Sequence, residues 1–215
     1  MYLPKSFRES DKSRLLELIR QAPLGILVLQ TDGGLEANHI PFVYRESTKQ
    51  KTNETGLLCA HLPRANPLSS PVHSGRPCLV IFSGPSGYIS PSWYASKKDH
   101  GKVVPTWNYT VVHVHGHVRL IDDEAWVMSQ IEELTGQHEA PRKEPWSVSD
   151  APAEYTQALL KSLVGMEIRI DRLEGKTKAS QNQPGRNQTS VLQALREEQP
   201  DTELAEFMHS VLQKP

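Results

Sequence analysis

Apolar and polar positions repeat with two periods along this chain, and the changes of period mark its elements. The first element is helical. In "DKSRLLELIRQA", Leu15, Leu18 and Ile19 form a stripe, Asp11 is placed to cap it and Pro23 to close it. "LGILVLQ" is a continuous apolar run ended by the turn cluster "TDGG", the pattern of a strand buried on both faces. "LEANHIPFVYRE" reads as its hairpin return, and Pro41 puts that strand at an edge, a bulge or a ligand-facing gap. After the polar surface loop "ESTKQKTNETG" come two more strands, "LLCAHL" and "PCLVIFSG". Residues 84–102, "GPSGYISPSWYASKKDHGK", read as a long ordered loop, because Tyr88, Ile89, Trp93 and Tyr94 need somewhere to pack.

"TWNYTVVHVHGHVRLI" is the longest strand candidate, with Val112, Val114 and Val118 on one face and His113, His115 and His117 on the other. Gly116 marks a bulge in it. "DDEAWVMSQIEELTG" is a helix opened by acidic residues and closed by Gly136. A second helix, "APAEYTQALLKSLV", precedes a last alternating strand, "GMEIRIDRLEG". Two helices split by Pro200 end the chain, and Leu204, Phe207, Met208, Val211 and Leu212 form the stripe of the second. Short strands with helices before, between and after them predict an α+β fold around a small, mainly antiparallel barrel. No strand leads into GxGxxG or GxxxxGK[ST], so dinucleotide-binding and P-loop folds are excluded.

Composition narrows the partners. At 215 residues the chain suits one good-sized domain, alone or with a small appendage. Its 24 basic and 25 acidic side chains leave a net charge of −1, so no global field draws it to nucleic acid or membrane. A local basic groove stays compatible with that balance. Cys59 and Cys78, without CxxC spacing and inside apolar strands, read as buried thiols. "MYLPKSFRES" has no apolar core of a signal peptide, and "LGILVL" falls far short of the ~20 residues that span a bilayer. The expectation is a cytoplasmic protein with no membrane partner.

Four stretches carry candidate chemistry. Same-face imidazoles on the histidine strand suit zinc or iron, yet HExxH is missing and no carboxylate sits at a ligand-like offset. A half-exposed face, or hydrogen bonds across a subunit interface, explains the same pattern. "HLPRANP" sets Arg64 between His61 and Asn66 just after a strand, an arrangement suited to a phosphate or to plain solvent exposure. "GKTKASQN" gathers Lys176, Lys178, Ser180 and Gln181, donors for phosphate or for the edge of a heterocycle. "VPTWNY" and "SGPSGYISPSWY" put aromatic faces beside the Asn108 amide, as a flat conjugated ligand needs. No nucleophile constellation and no catalytic carboxylate pair is evident.

Eight blocks in order, "MYLPKSF", "PLGILV", "NHIPF", "HLPRANP", "GPSGYISPSWY", "KVVPTWNYTVVHVHG", "LT…HE…W" and "GKTKASQN", resemble the PaiB-type family of FMN-binding negative transcriptional regulators. The resemblance implies a six-stranded, mainly antiparallel split β-barrel with flanking helices over residues 1–186. Residues 187–215 form a helical C-terminal extension packed on the barrel or on a dimer partner. It implies FMN at the interface of a homodimer, with the histidine strand beside the flavin and no metal, and repression of transcription with DNA as a partner. Arg64 is then first choice for the FMN phosphate, supported by His61 and Asn66. The backbone at Asn38, His39 and Ile40 lines the ring, Trp107 and Asn108 stack on it or bond it, and Lys176, Lys178, Ser180 and Gln181 approach it, from the same subunit or from its partner. Two other functions fit the same frame. One is a flavin-dependent oxidoreductase of a small substrate. The other is a haem-binding split barrel with His39, His61 or His113 as axial ligand.

Overall fold

A computed structural model describes residues 1–46 and 55–213, so most of the polar loop "ESTKQKTNETG" lies outside the described residues. Among the described residues there are eight strands: β1 (Arg8–Glu9), β2 (Leu24–Thr31), β3 (Gly34–Pro41), β4 (Val43–Arg45), β5 (Leu57–Pro63), β6 (Pro77–Ile89), β7 (Thr106–Ile121) and β8 (Leu163–Lys178). They hydrogen-bond in the order β3-β2-β6-β7-β8-β5-β4, with β1 on β8. Six helices accompany them: α1 (Lys12–Gln21), α2 (Lys97–His100), α3 (Glu124–Glu139), α4 (Ala153–Leu160), α5 (Gly185–Glu198) and α6 (Leu204–Leu212). The α+β class and antiparallel pairing match the sequence reading. The count of six strands does not. Proline has no N–H for the ladder, so the hairpin return breaks after Pro41 into β3 and β4, and β1 is too short to show a period.

Four further differences have local causes. β2 alternates buried Gly25, Leu27 and Leu29 with more open neighbours, so it is closed on one face only. Residues 84–89 continue β6 as strand because Pro and Gly are tolerated on an open stretch of ladder, and the loop starts only at Ser90. Gly136 does not stop α3, which runs on to Glu139. Gly116 sits in unbroken strand, where an added Cβ would lie 2.2 Å from the Arg169 carbonyl oxygen. It marks close backbone approach, not a bulge.

The chain divides into two compact units, a central one of residues Ile19–Phe82 and His113–Leu173, and a terminal one of Met1–Leu18, Ser83–Val112 and Glu174–Pro215. In the central unit, β2 and β3 pair with Leu27 opposite Asn38, and β2 pairs β6 with Ile26 opposite Ile81. β5 pairs both β4 and β8. Leu27, Phe42, Leu58, Phe82, Met166 and Ile168 fill its core, with Phe42 and Phe82 edge to face at 5.9 Å. Gly25 is what lets these rings close, since a Cβ there would meet Val80 at 2.7 Å and Phe82 at 2.8 Å. In the terminal unit, Val191 and Leu195 of α5 and Leu204, Ala205 and Met208 of α6 pack on Ile89, Tyr94 and Ala179. The predicted α6 stripe is thus the buried one.

Candidate functional site

In the central unit, β5 delivers the chain into a loop of two 3-10 turns, at Pro67–Ser69 and Pro71–His73. Asn66 caps the first turn, its Oδ1 accepting from the Leu68 amide at 2.9 Å. Its Nδ2 donates to Asn38 Oδ1 on β3 at 2.8 Å, which joins two blocks of sequence 28 residues apart. A hollow of about 550 Å³ opens here, with Arg64, Asn66, Ser69, Ser70, Ser74 and Asp122 in its lining. Arg64 donates from Nε to the Lys161 carbonyl at 2.9 Å and from Nη2 to Asp122. The Arg64 hydrogen bond, followed by its charge, holds the Asp122 carboxyl below its usual value. Asp122 is 75 % exposed, so this pair is open to solvent.

The neighbours of Arg64 divide. His61 turns toward α3, its Nδ1 at 2.6 Å from Oε1 of the fully buried Gln130. His39 is exposed on the edge strand β3, and Ile40 is buried in the core. Asp122 and Gln130, the partners of Arg64 and His61, were invisible in the sequence because they lie 58 and 69 residues away.

Trp107, Asn108, Lys176, Lys178, Ser180 and Gln181 all belong to the terminal unit. Asn108 is fully buried; its Nδ2 donates to Ser180 Oγ at 2.9 Å and to Met208 Sδ at 3.2 Å. Its Oδ1 has no hydrogen-bond partner. Ser180 holds a left-handed backbone, φ 60°, which aims its hydroxyl at Asn108. Lys178 Nζ donates to Thr106 Oγ1, and burial lowers its pKa, offset in part by Tyr109 and reinforced to a smaller degree by Lys176. Gln181 spends its amide locally on Ala179 N and Thr177 O, both at 2.6 Å. Trp107 is exposed and meets Tyr88 edge to face at 6.3 Å, while Lys176 Nζ stands 5.3 Å over the Tyr109 ring.

Of these residues, Asn108, Lys178 and Ser180 border a cavity of about 390 Å³ that also takes in His100, Lys102 and Arg186, whereas Trp107, Lys176 and Gln181 are not in its lining. His100, Lys102 and Arg186 were not singled out in the sequence. The one signal for Arg186 was the Pro-Gly helix start in "QPGRNQ".

The histidine strand takes its expected form, with Val112, Val114 and Val118 buried and the imidazoles half-buried. His113 and His115 rings stand 6.4 Å apart, and His117 Nδ1 lies 2.6 Å from Asp171 Oδ2. Both cysteines are free and buried, and burial pushes each thiol up to about 12. Among the described residues no helix is long and apolar enough to cross a membrane.

Comparison with known proteins adds family and fold. The sequence model of the family described as "Putative FMN-binding domain" matches residues 1–172. An uncharacterized protein of Emericella nidulans is 37% identical over 212 residues, covering 84% of this chain and 84% of that protein. The protease synthase and sporulation protein PAI 2 of Bacillus subtilis is 26% identical over 216 residues, covering 100% of this chain and 99% of its own length. The FAD and haem binding protein of Mycobacterium smegmatis superposes with a TM-score of 0.58 at 17% identity, over 80% of this chain and 73% of that one. That likeness shows a shared fold. With the family match spanning most of the chain, the protein belongs to the FMN-binding domain family, and flavin is the cofactor of that family.

Proposed function

We propose that this chain holds FMN in its central unit, with the phosphate against the Arg64 loop and the ring along the β3 backbone at Asn38–Ile40. The carrying observation is the Asn66–Asn38 hydrogen bond of 2.8 Å, which puts the loop and the strand at one place. The residues present fit the group. A hollow of about 550 Å³ is within the range of cofactor sites, and its guanidinium, amide and serine hydroxyls are the donors a phosphate dianion needs. The Asp122 carboxylate holds the fork of Arg64 in place. Because that pair is open to solvent it contributes little, and a doubly charged phosphate displaces the carboxylate. His61, tied to Gln130, steadies the end of β5 and does not itself reach the cofactor. When bound, flavin supplies hydride or single-electron transfer; the protein's share is to bind, orient and exclude water.

A split-barrel homodimer accompanies this reading. Regulation of transcription is the finer reading, supported by the full-length match to the Bacillus protein named for protease synthesis and sporulation. FMN and riboflavin titrations, followed by flavin fluorescence, test the phosphate assignment. FMN should bind the wild type about tenfold or more tighter than riboflavin, and Arg64→Ala should abolish that preference. Equal affinity of the wild type for the two flavins would overturn it.

A further inference from the structure

Three imidazoles lie on one face of β7 in the central unit, and their direction is set by the strand. Val114 and Val118 are buried on the opposite face, so a slip of one residue would put valines outside and imidazoles in the core. Gly116 adds a second restraint. A Cβ there would lie 2.2 Å from the Arg169 carbonyl oxygen, so β7 runs hard against β8 at this point. The histidines are therefore held on their face before any ligand arrives.

The three are not alike. His117 turns to β8, its Nδ1 2.6 Å from Asp171 Oδ2, and the other oxygen of that carboxylate pairs with Arg169 Nε at 3.3 Å. His113 and His115 turn to each other. Their ring centroids are 6.4 Å apart and their planes are inclined by 56°. A ring nitrogen of one lies within 4.8 Å of a ring nitrogen of the other, and both side chains are half-buried. Residues two apart on a strand are spaced by roughly 6.5 Å, so these nitrogens converge beyond what the backbone imposes. His117 does not join them. Two converging imidazole nitrogens on a fixed face are the donor set that borderline divalent metals prefer.

We infer that His113 and His115 together chelate one divalent transition-metal ion of the imidazole-preferring class, with His117 outside the site. Metal–nitrogen bonds of about 2.0–2.1 Å bring the two nitrogens closer than they now stand, and side-chain rotation supplies the difference. Two protein ligands leave the ion open positions for water or a small anion, so the metal is exchangeable and not a structural staple. The flavin placement proposed above uses neither histidine, and the family resemblance assigns this strand no metal.

Copper(II) is the first probe, because imidazole sites of this kind bind it more tightly than nickel(II) or zinc(II). Isothermal titration of the full chain, without an added histidine tag, should give one saturable Cu²⁺ site per chain, with Ni²⁺ and Zn²⁺ weaker at the same site. The electron paramagnetic resonance spectrum of the Cu²⁺ form should carry splitting from two imidazole nitrogens. His113→Gln and His115→Gln, each checked for folding by circular dichroism, should weaken Cu²⁺ by about tenfold or more, and His117→Gln should stay within about twofold of the wild type. The wild-type spectrum and the His117 variant keep the test decisive should either of the other two variants fail to fold. No saturable site, a spectrum without two nitrogens, or affinity that survives loss of both His113 and His115 overturns the inference. So does a loss in His117→Gln as large as in the other two.

Discussion

At the residue scale, burial decides what each group can do. Arg64 and Asn108 stand out in the sequence by their neighbours, but the properties that matter come from residues far along the chain. The Arg64 fork is set by Asp122 and the Lys161 carbonyl, and the Asn108 amide by Ser180 and Met208. Residue type and spacing predict a donor set; they carry no information on which donor is already spent. Cys59 and Cys78 were more legible, because apolar strand neighbours predict burial directly. Their chemistry follows from desolvation. A thiol with an ordinary value of 9.0 that is pushed to about 12 in the fold stays protonated in the native state after the unfolded chain has lost its proton. The unfolded state then binds fewer protons, so stability falls as pH rises from about 9 to about 12. Urea midpoints at pH 8 and pH 10.5 should show this loss, and a Cys59→Ala, Cys78→Ala double variant should lose less over the same interval. A slope that survives the double substitution unchanged would assign the loss to other groups.

At the element scale, period was a good guide and terminators were a poor one. Each amphipathic or alternating run appears as the helix or strand its period predicts, because burying one face decides the outcome whatever the local propensity. Gly136 lies inside α3, where the packing of the helix outweighs the modest cost of one glycine. The stretch 84–89 looks like loop by composition but is strand, since strand pairing is a property of neighbours that a local window does not contain. The start of α3 was legible because a cap is local. Asp123 accepts from the amides of Ala125 at 2.8 Å and Trp126 at 3.1 Å. Asp123→Ala removes both bonds and should cost about 1 kcal/mol, lowering Tm by roughly 2–4 °C for a chain of this size. Differential scanning fluorimetry reads the change. Asp123→Asn, which keeps an acceptor, should recover most of it, whereas an equal loss in both variants would point to the charge and not the cap.

At the scale of the whole molecule, the order of blocks along the chain identified the family, yet it did not reveal that the candidate residues form two sets. Asn38, Arg64 and Asn66 gather in the central unit, and Asn108, Lys178 and Ser180 in the terminal one. This division depends on how β6, β7 and β8 are shared between the units, and no single stretch of sequence encodes it. Net charge is the molecular property that was fully legible, and it bears on the regulatory reading. At −1 overall, the chain has no excess of cations to release counterions from a duplex. The purified protein should therefore show no retention on non-specific duplex DNA at about 0.15 M salt, where binding through several phosphates is already weakened. A complex at low salt that dissolves steeply as salt rises would reveal a basic groove in the assembled protein and favour direct contact. Absence of binding at every salt concentration would mean that any regulatory effect passes through the flavin and not through direct contact with DNA.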